Sequence, residues 1–180
     1  RPWLIIHPGA SEAKRQFDTK EWIAAGKRII NELGYQILLT GTTKERRLTE
    51  PLGEAIGMGA LSIAGLLDLR EFIELIRRTP LLITVNTGPA HIAAAVHTSV
   101  IVLYALTNPQ HTPWKATGRI LPFSIEESLQ SRNELLRYVY EEYYSGQHYF
   151  VKSEDIVVAA RKILIEGERN RVDELVLPGI

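Results

Sequence analysis

The sequence contains no cysteine. That excludes a disulfide framework, a thiolate metal site and a cysteine nucleophile, and it fits a reducing compartment. A charge excess is also missing: 21 Lys and Arg face 21 Asp and Glu. Without a basic footprint, no nucleic-acid partner is expected. No apolar run approaches the roughly 20 residues that cross a bilayer. The opening RPWLIIHPG has no signal-peptide layout, so the chain reads as soluble and cytoplasmic. Internal repeats and low-complexity linkers are absent too. What is present is 180 residues, 45% of them hydrophobic, enough for one good core and a single domain. Because WLII is core-like so near the first residue, the chain is expected to be a segment of a longer polypeptide.

Short apolar runs alternate with longer amphipathic ones. Residues 3–6, 36–39, 60–63, 81–85 and 99–104 have strand length and composition, and 120–123 can add a last strand. Between them, Trp22, Ile23, Ile29, Ile30 and Leu33 share one helical face. That helix is started by Asp18 with Glu21 three residues on and stopped by Gly34. Asp68 and Glu71 repeat the capping arrangement ahead of Phe72, Ile73 and Ile76. Residues 43–57 form a weaker helix that Pro51 is expected to break in two. Within 125–148, Tyr138, Tyr140, Tyr143 and Tyr144 are expected to pack a helix onto the domain. A final helix over 153–166 is capped by Ser153, carries Glu154 and Asp155 at its positive end, and buries Ile156, Val157, Ala160, Ile163 and Leu164. Strand alternating with helix predicts an α/β fold: a doubly wound, Rossmann-like parallel sheet with helices on both faces and extra C-terminal helices.

In such a sheet, ligands bind beyond the carboxyl ends of the strands. The exits read HPGAS, TGTTKE, AGLLD, NTGPAH and ALTNPQ. A single glycine loop is ordinarily just a tight turn, but five on one edge point to a site. In TVNTGPAH, residues 84–91, Thr87 or Gly88 caps a helix and Pro89 stands in its first turn, where its missing N–H leaves no orphan. The free amides near Gly88, Ala90 and His91, with the helix dipole, favour an anion, and glycine lets a phosphate approach the backbone. His91 either donates to that phosphate or packs locally. Ala93, Ala94 and Ala95 would let the helix lie close to the sheet.

These stretches resemble the heptosyltransferase-like glycosyltransferase family nine. The resemblance rests on HPGAS at 7–11 with Lys14, Arg15 and Trp22 behind it, TGTTKE at 40–45, LSIAGLLDLREFIELI at 61–76, and above all LLITVNTGPAHIAAAVHTSVIVLYALTNP at 81–109. It covers about residues 3–123 in matching order and spacing. The resemblance implies the C-terminal, donor-binding domain of a GT-B enzyme: residues 1–166 would hold a nucleoside-diphosphate sugar, commonly ADP-heptose, and 167–180 would be a tail. Lys14 or Arg15 would approach the donor phosphates, and Glu45 would accept the ribose hydroxyls. Thr40 and Gly41 would line the same edge, and Thr87, Gly88 and His91 would form the phosphate turn.

Two departures stand out. Asn86 occupies the place of an aspartate near the transferred sugar, which puts the sugar's identity in doubt. Tyr104, Ala105, Leu106 and Thr107 replace the usual Phe-Gly-Pro-Thr. The implied N-terminal domain, which binds a lipopolysaccharide-type acceptor and supplies the carboxylate base of inverting transfer, has no counterpart in these 180 residues. The chain is therefore expected to bind donor but not to turn over alone. The full-length protein would work at the inner face of the bacterial inner membrane, with peripheral contact. There is no paired-carboxylate DxD motif, so a metal-bridged diphosphate is not indicated, and no cofactor is implied. Two other classes remain: a non-catalytic nucleotide-binding module, and a dinucleotide-dependent oxidoreductase, against which the absence of G-x-G-x-x-G after the first strand counts.

Overall fold

The computed structural model describes residues 1–106, 112–130, 132–143 and 148–165. Six strands, β1 (Trp3–His7), β2 (Gln36–Leu39), β3 (Ala60–Ser62), β4 (Leu82–Val85), β5 (Val100–Ala105) and β6 (Gly118–Phe123), form one sheet in the order β3-β2-β1-β4-β5-β6. Every pairing is parallel. The connecting helices are α1 (Thr19–Arg28), α2 (Arg46–Ile56), α3 (Leu69–Arg78) and α4 (Gly88–Ala95), followed by α5 (Glu134–Tyr143) and α6 (Ser153–Leu164). The expected doubly wound fold is thus present, with strand limits moved by one or two residues.

Side-chain alternation divides the core. Leu4 and Ile6 of β1 pack with Trp22, Leu52 and Ile156 from α1, α2 and α6. Ile5 between them packs with Ile76 and Ala90 from α3 and α4. With both faces covered, the strands are apolar at nearly every position, as parallel strands require. Because β1 has β2 on one side and β4 on the other, the winding reverses between β1 and β4. That opens a crevice at their carboxyl ends.

Several local expectations are corrected. Pro51 lies inside a continuous α2. It faces solvent, so the Arg47 carbonyl that its missing N–H leaves unserved can be hydrated, and the helix continues. Asp18 does cap α1, accepting from the Lys20 N–H at 2.7 Å, but Glu21 does not close a capping box there. Its carboxylate instead accepts from the Ser153 N–H at 2.6 Å and the Lys152 ammonium at 3.3 Å. Ser153 is consequently the first residue of α6, and Lys152 is its cap. The first helix passes into a π-helical stretch, Ile29–Leu33, before Gly34 ends it at φ 75°, a left-handed conformation that glycine adopts without strain. At Asp68 and Glu71 the reciprocal box forms as expected, with two bonds of 2.8 Å.

On α4, Ala90 and Ala93 are buried in the core and Ala94 packs against it, whereas Ala95 is exposed. Tyr140 packs on the second core cluster, but Tyr138 is exposed. Tyr144, Thr107 and the 167–180 tail lie outside the described residues. Among the described residues, no helix is long and apolar enough to cross a membrane.

Candidate functional site

The crevice is built from three strand exits. β1 ends at His7, whose Nδ1 shares a 3.0 Å hydrogen bond with the Thr40 hydroxyl at the end of β2. The His7 ring lies 5.6 Å from that of Phe72, and only 8% of the residue is exposed. Burial pushes its pKa down to about 4, against a smaller upward pull from the Glu45 carboxylate, so the ring is neutral at physiological pH. His7 was not among the residues singled out in the sequence, although its place at the last position of the first strand, before Pro-Gly, carried the signal. Thr40 was expected to line the edge; it is buried beneath it, bonded to His7. Gly41 does line the edge, where a cleft of about 360 Å³ is walled by His7, Gly41, Ile63, Leu67 and Phe72.

Glu45 stands between the β1 and β2 exits. One carboxylate oxygen accepts from the Thr42 N–H at 2.6 Å. The other occupies the space that a Cβ on Gly9 would take, and Gly41 gives room on the adjacent side. Two glycines from two loops therefore seat one carboxylate. Ser11, Thr19, Lys44 and Arg47 border a second cleft of about 490 Å³ over the Pro8–Ser11 loop, on the other side of Glu45.

At the β4 exit, Asn86 is 1% exposed. Its Oδ1 accepts from the Ala105 N–H at 3.3 Å. Since a backbone N–H only donates, this contact fixes the amide's orientation and leaves Nδ2 as a buried donor with no partner among the described residues. The helical turn Ala13–Arg15 brings the Arg15 guanidinium over the same exit, where Nη1 donates to the Asn86 carbonyl at 3.2 Å.

Of the two basic residues expected near the crevice, Arg15 is the one bonded to it. The Lys14 ammonium and the Arg15 Nη2 both pair with Glu12, at 2.9 and 3.0 Å, and Lys14 borders a different cleft. Thr87 caps α4 in extended conformation, and its hydroxyl donates back to the Val85 carbonyl at 3.4 Å rather than serving the helix. Gly88 and His91 are exposed, and a Cβ on Gly88 would meet nothing within 4 Å. The start of α4 is thus open ground, with its dipole and the Gly88 amide facing it; the Ala90 amide, expected to be free, instead donates to the Thr87 carbonyl at 3.0 Å. Asn86, Thr87, Gly88, His91 and Arg15 come together here. Gly41 and Glu45 sit at the β1 and β2 ends beside them, with Thr40 behind. Among the described residues, no group of three or more His, Asp or Glu side chains could hold a metal ion.

A parallel sheet in the order 3-2-1-4-5-6, with a glycine-bearing exit, an open helix start and an arginine at its reversal point, defines a Rossmann-like domain. The family model for Glycosyltransferase family 9 (heptosyltransferase) matches residues 1–135, and the chain belongs to that family.

Over 123 residues it is 36% identical to lipooligosaccharide heptosyltransferase 2 of Haemophilus influenzae, covering 63% of this chain and 34% of that protein. Over 173 residues it is 31% identical to lipopolysaccharide heptosyltransferase 3 of Escherichia coli, covering 91% of this chain and 47% of that protein. The fold matches the solved structure of E. coli ADP-heptose lps heptosyltransferase II with a TM-score of 0.70 at 21% identity, over 93% of this chain and 48% of that one. The chain therefore spans about a third to a half of the length of these relatives.

Proposed function

We propose that the chain is the donor-binding half of an inverting, metal-independent glycosyltransferase that moves heptose from ADP-heptose to a lipopolysaccharide-type acceptor. The observation that carries this reading is the convergence of Arg15, Asn86 and the open start of α4 at the β1/β4 reversal, one strand from the Glu45 carboxylate. In this reading the diphosphate lies on the Gly88 amide with His91 and Arg15 beside it, the Thr87 N–H being held by the Val85 carbonyl at 2.7 Å. Vicinal ribose hydroxyls bond the outward side of Glu45, and the base enters the slot between His7, Leu67 and Phe72. Lys14, two residues from Glu12, completes the basic loop.

During transfer, a carboxylate base from the N-terminal half of the enzyme takes the proton of an acceptor hydroxyl. That oxygen attacks the anomeric carbon as the bond to the diphosphate breaks. Arg15 and the α4 dipole stabilise the charge gathering on the departing diphosphate. Since the base and the acceptor domain belong to that other half, this half is expected to bind donor without turnover, on the cytoplasmic side of the inner membrane.

Titration calorimetry of the chain with ADP, UDP, GDP and NAD tests the reading. ADP should bind best. Glu45→Ala and His91→Ala should each weaken it about ten- to a hundredfold, the effect of losing one charge-assisted hydrogen bond. Equal affinity in wild type and both variants overturns it.

A further inference from the structure

A third cleft, of about 490 Å³, lies at the carboxyl end of β6 and shares only Lys14 with the residues assigned to the nucleotide. Its floor is aromatic: the Phe17 ring sits 5.5 Å from both Phe123 and the buried Trp22. Its rim carries Phe150, which is 75% exposed, although the backbone presenting it is fixed on both sides. Tyr149 exchanges two 3.0 Å bonds with Ser124 beyond β6, Val151 is buried, and the Ser153 N–H is held by Glu21. An exposed phenylalanine on a backbone so constrained is a preorganised contact surface.

The polar lining decides what that surface suits. Asp18, Glu21 and Glu126 contribute carboxylates. The two ammonium groups, Lys14 and Lys152, are already on Glu12 and Glu21 at 2.9 and 3.3 Å. With no surplus positive charge, a phosphate or other anion is disfavoured there. Interspersed Gln16, Ser124 and Glu126 would be desolvated without partners by an acyl chain or an apolar peptide. What remains is a neutral ligand with one apolar face and a rim of hydroxyls: a pyranose. Its C–H face packs on a ring, and its hydroxyls bond the amide and carboxylates.

We propose that this cleft is a saccharide subsite, in which this half adds to the acceptor domain's hold by stacking a neutral sugar of the acceptor on Phe150 and bonding it through Glu126 and Gln16. The proposal rests on the donor-site reading for its place in the reaction, because Gln16 and Phe17 also border the cleft over the Pro8–Ser11 loop. Glu45, to which the ribose is assigned, borders that same cleft, so an acceptor sugar held here would lie toward the ribose end of the proposed donor.

Saturation-transfer NMR on the 180-residue chain with methyl α-D-mannopyranoside tests this, with cyclohexylmethanol and mannose 6-phosphate as apolar and anionic comparisons. Millimolar binding of the mannoside is expected. Phe150→Ala and Glu126→Ala should each weaken it about tenfold, while ADP affinity stays unchanged. Phe150 and Glu126 are exposed, so both variants should fold. No transfer to the mannoside in wild type, or equal transfer in both variants, overturns the proposal. So does stronger binding of cyclohexylmethanol, which would assign the cleft to a protein or lipid surface, or stronger binding of mannose 6-phosphate, which would assign it to an anion. Mannoside binding without ADP binding sinks the donor-site reading alone.

Discussion

Gly9 and Gly88 are both glycines at strand exits, and they do opposite things. At Gly9 a methyl group would fall inside the Glu45 carboxylate, whereas at Gly88 it would meet open space. Gly9→Ala should therefore drive Glu45 off the Thr42 N–H. The expected loss is about 1 kcal/mol, or some 2–4 °C in Tm for a chain of this size, together with about tenfold in ADP affinity. Gly88→Ala should leave Tm unchanged and cost affinity alone, because the methyl group stands where the phosphate is proposed to approach. Thermal scans and calorimetry on both variants check this, and an affinity loss without a Tm change in Gly9→Ala would remove the seating role argued for it.

The exits themselves were legible in the sequence, because Gly, Thr and Pro after a strand act on the local backbone. Their division of labour was not, because it depends on a carboxylate arriving from another loop. Asn86 is similar: its place at the β4 exit was readable, but the unpartnered Nδ2 depends on which way Ala105, 19 residues later, turns the amide.

At the level of the elements, Glu21 is the instructive case. Asp18 and Glu21 have the spacing of a capping box and so do Asp68 and Glu71, yet only the second pair closes one. The difference is a competitor that no local pattern reveals: the first amide of α6, 132 residues away in the chain, bonds Glu21 more directly. That bond joins α6 to α1, and α6 covers the side of the sheet that holds Leu4 and Ile6.

Glu21→Ala should accordingly cost about 1 kcal/mol and loosen α6 before the rest of the domain. Faster amide exchange at Ile156 and Val157 with unchanged protection at Ile5 and Ile83 would register this; uniform loss of protection would refute it. The Ser153 N–H, foremost, together with the Lys152 ammonium, holds the Glu21 carboxyl below its usual range. The stabilisation is therefore complete above the ordinary carboxylate pKa and disappears as pH falls through the lowered value. Pro51 shows the converse limit. Its dislike of helix interiors is local and general, but burial decides its consequence, and here the helix face it occupies is wet.

For the whole molecule, the strand order determines what the parts can do together. Alternating patterns predicted a parallel sheet, but the reversal between β1 and β4, which places His7 beside Thr40 and across from Phe72, follows from pairing partners that periodicity does not specify. Burying an imidazole at that point links global stability to pH. His7 titrates at about 4 in the folded chain against 6.5 for an ordinary histidine. Above pH 6.5 both folded and unfolded states keep it neutral, and its protonation costs nothing. Between pH 6.5 and 4 the unfolded chain gains a proton that the folded chain refuses, so stability falls as pH falls. The total effect is roughly 3 kcal/mol.

Urea unfolding of wild type at pH 7.5 and pH 5 should show most of this loss. In His7→Gln, which keeps a polar group near the Thr40 hydroxyl but cannot take up a proton, the part of the slope between pH 5 and 6.5 should flatten. The same variant should retain the fold while altering the slot in which the nucleotide base is proposed to lie, so ADP affinity should fall even at pH 7.5, where the wild-type ring is already neutral. A His7→Gln chain with wild-type pH dependence would show that the imidazole is hydrated after all and does not form the wall of that slot.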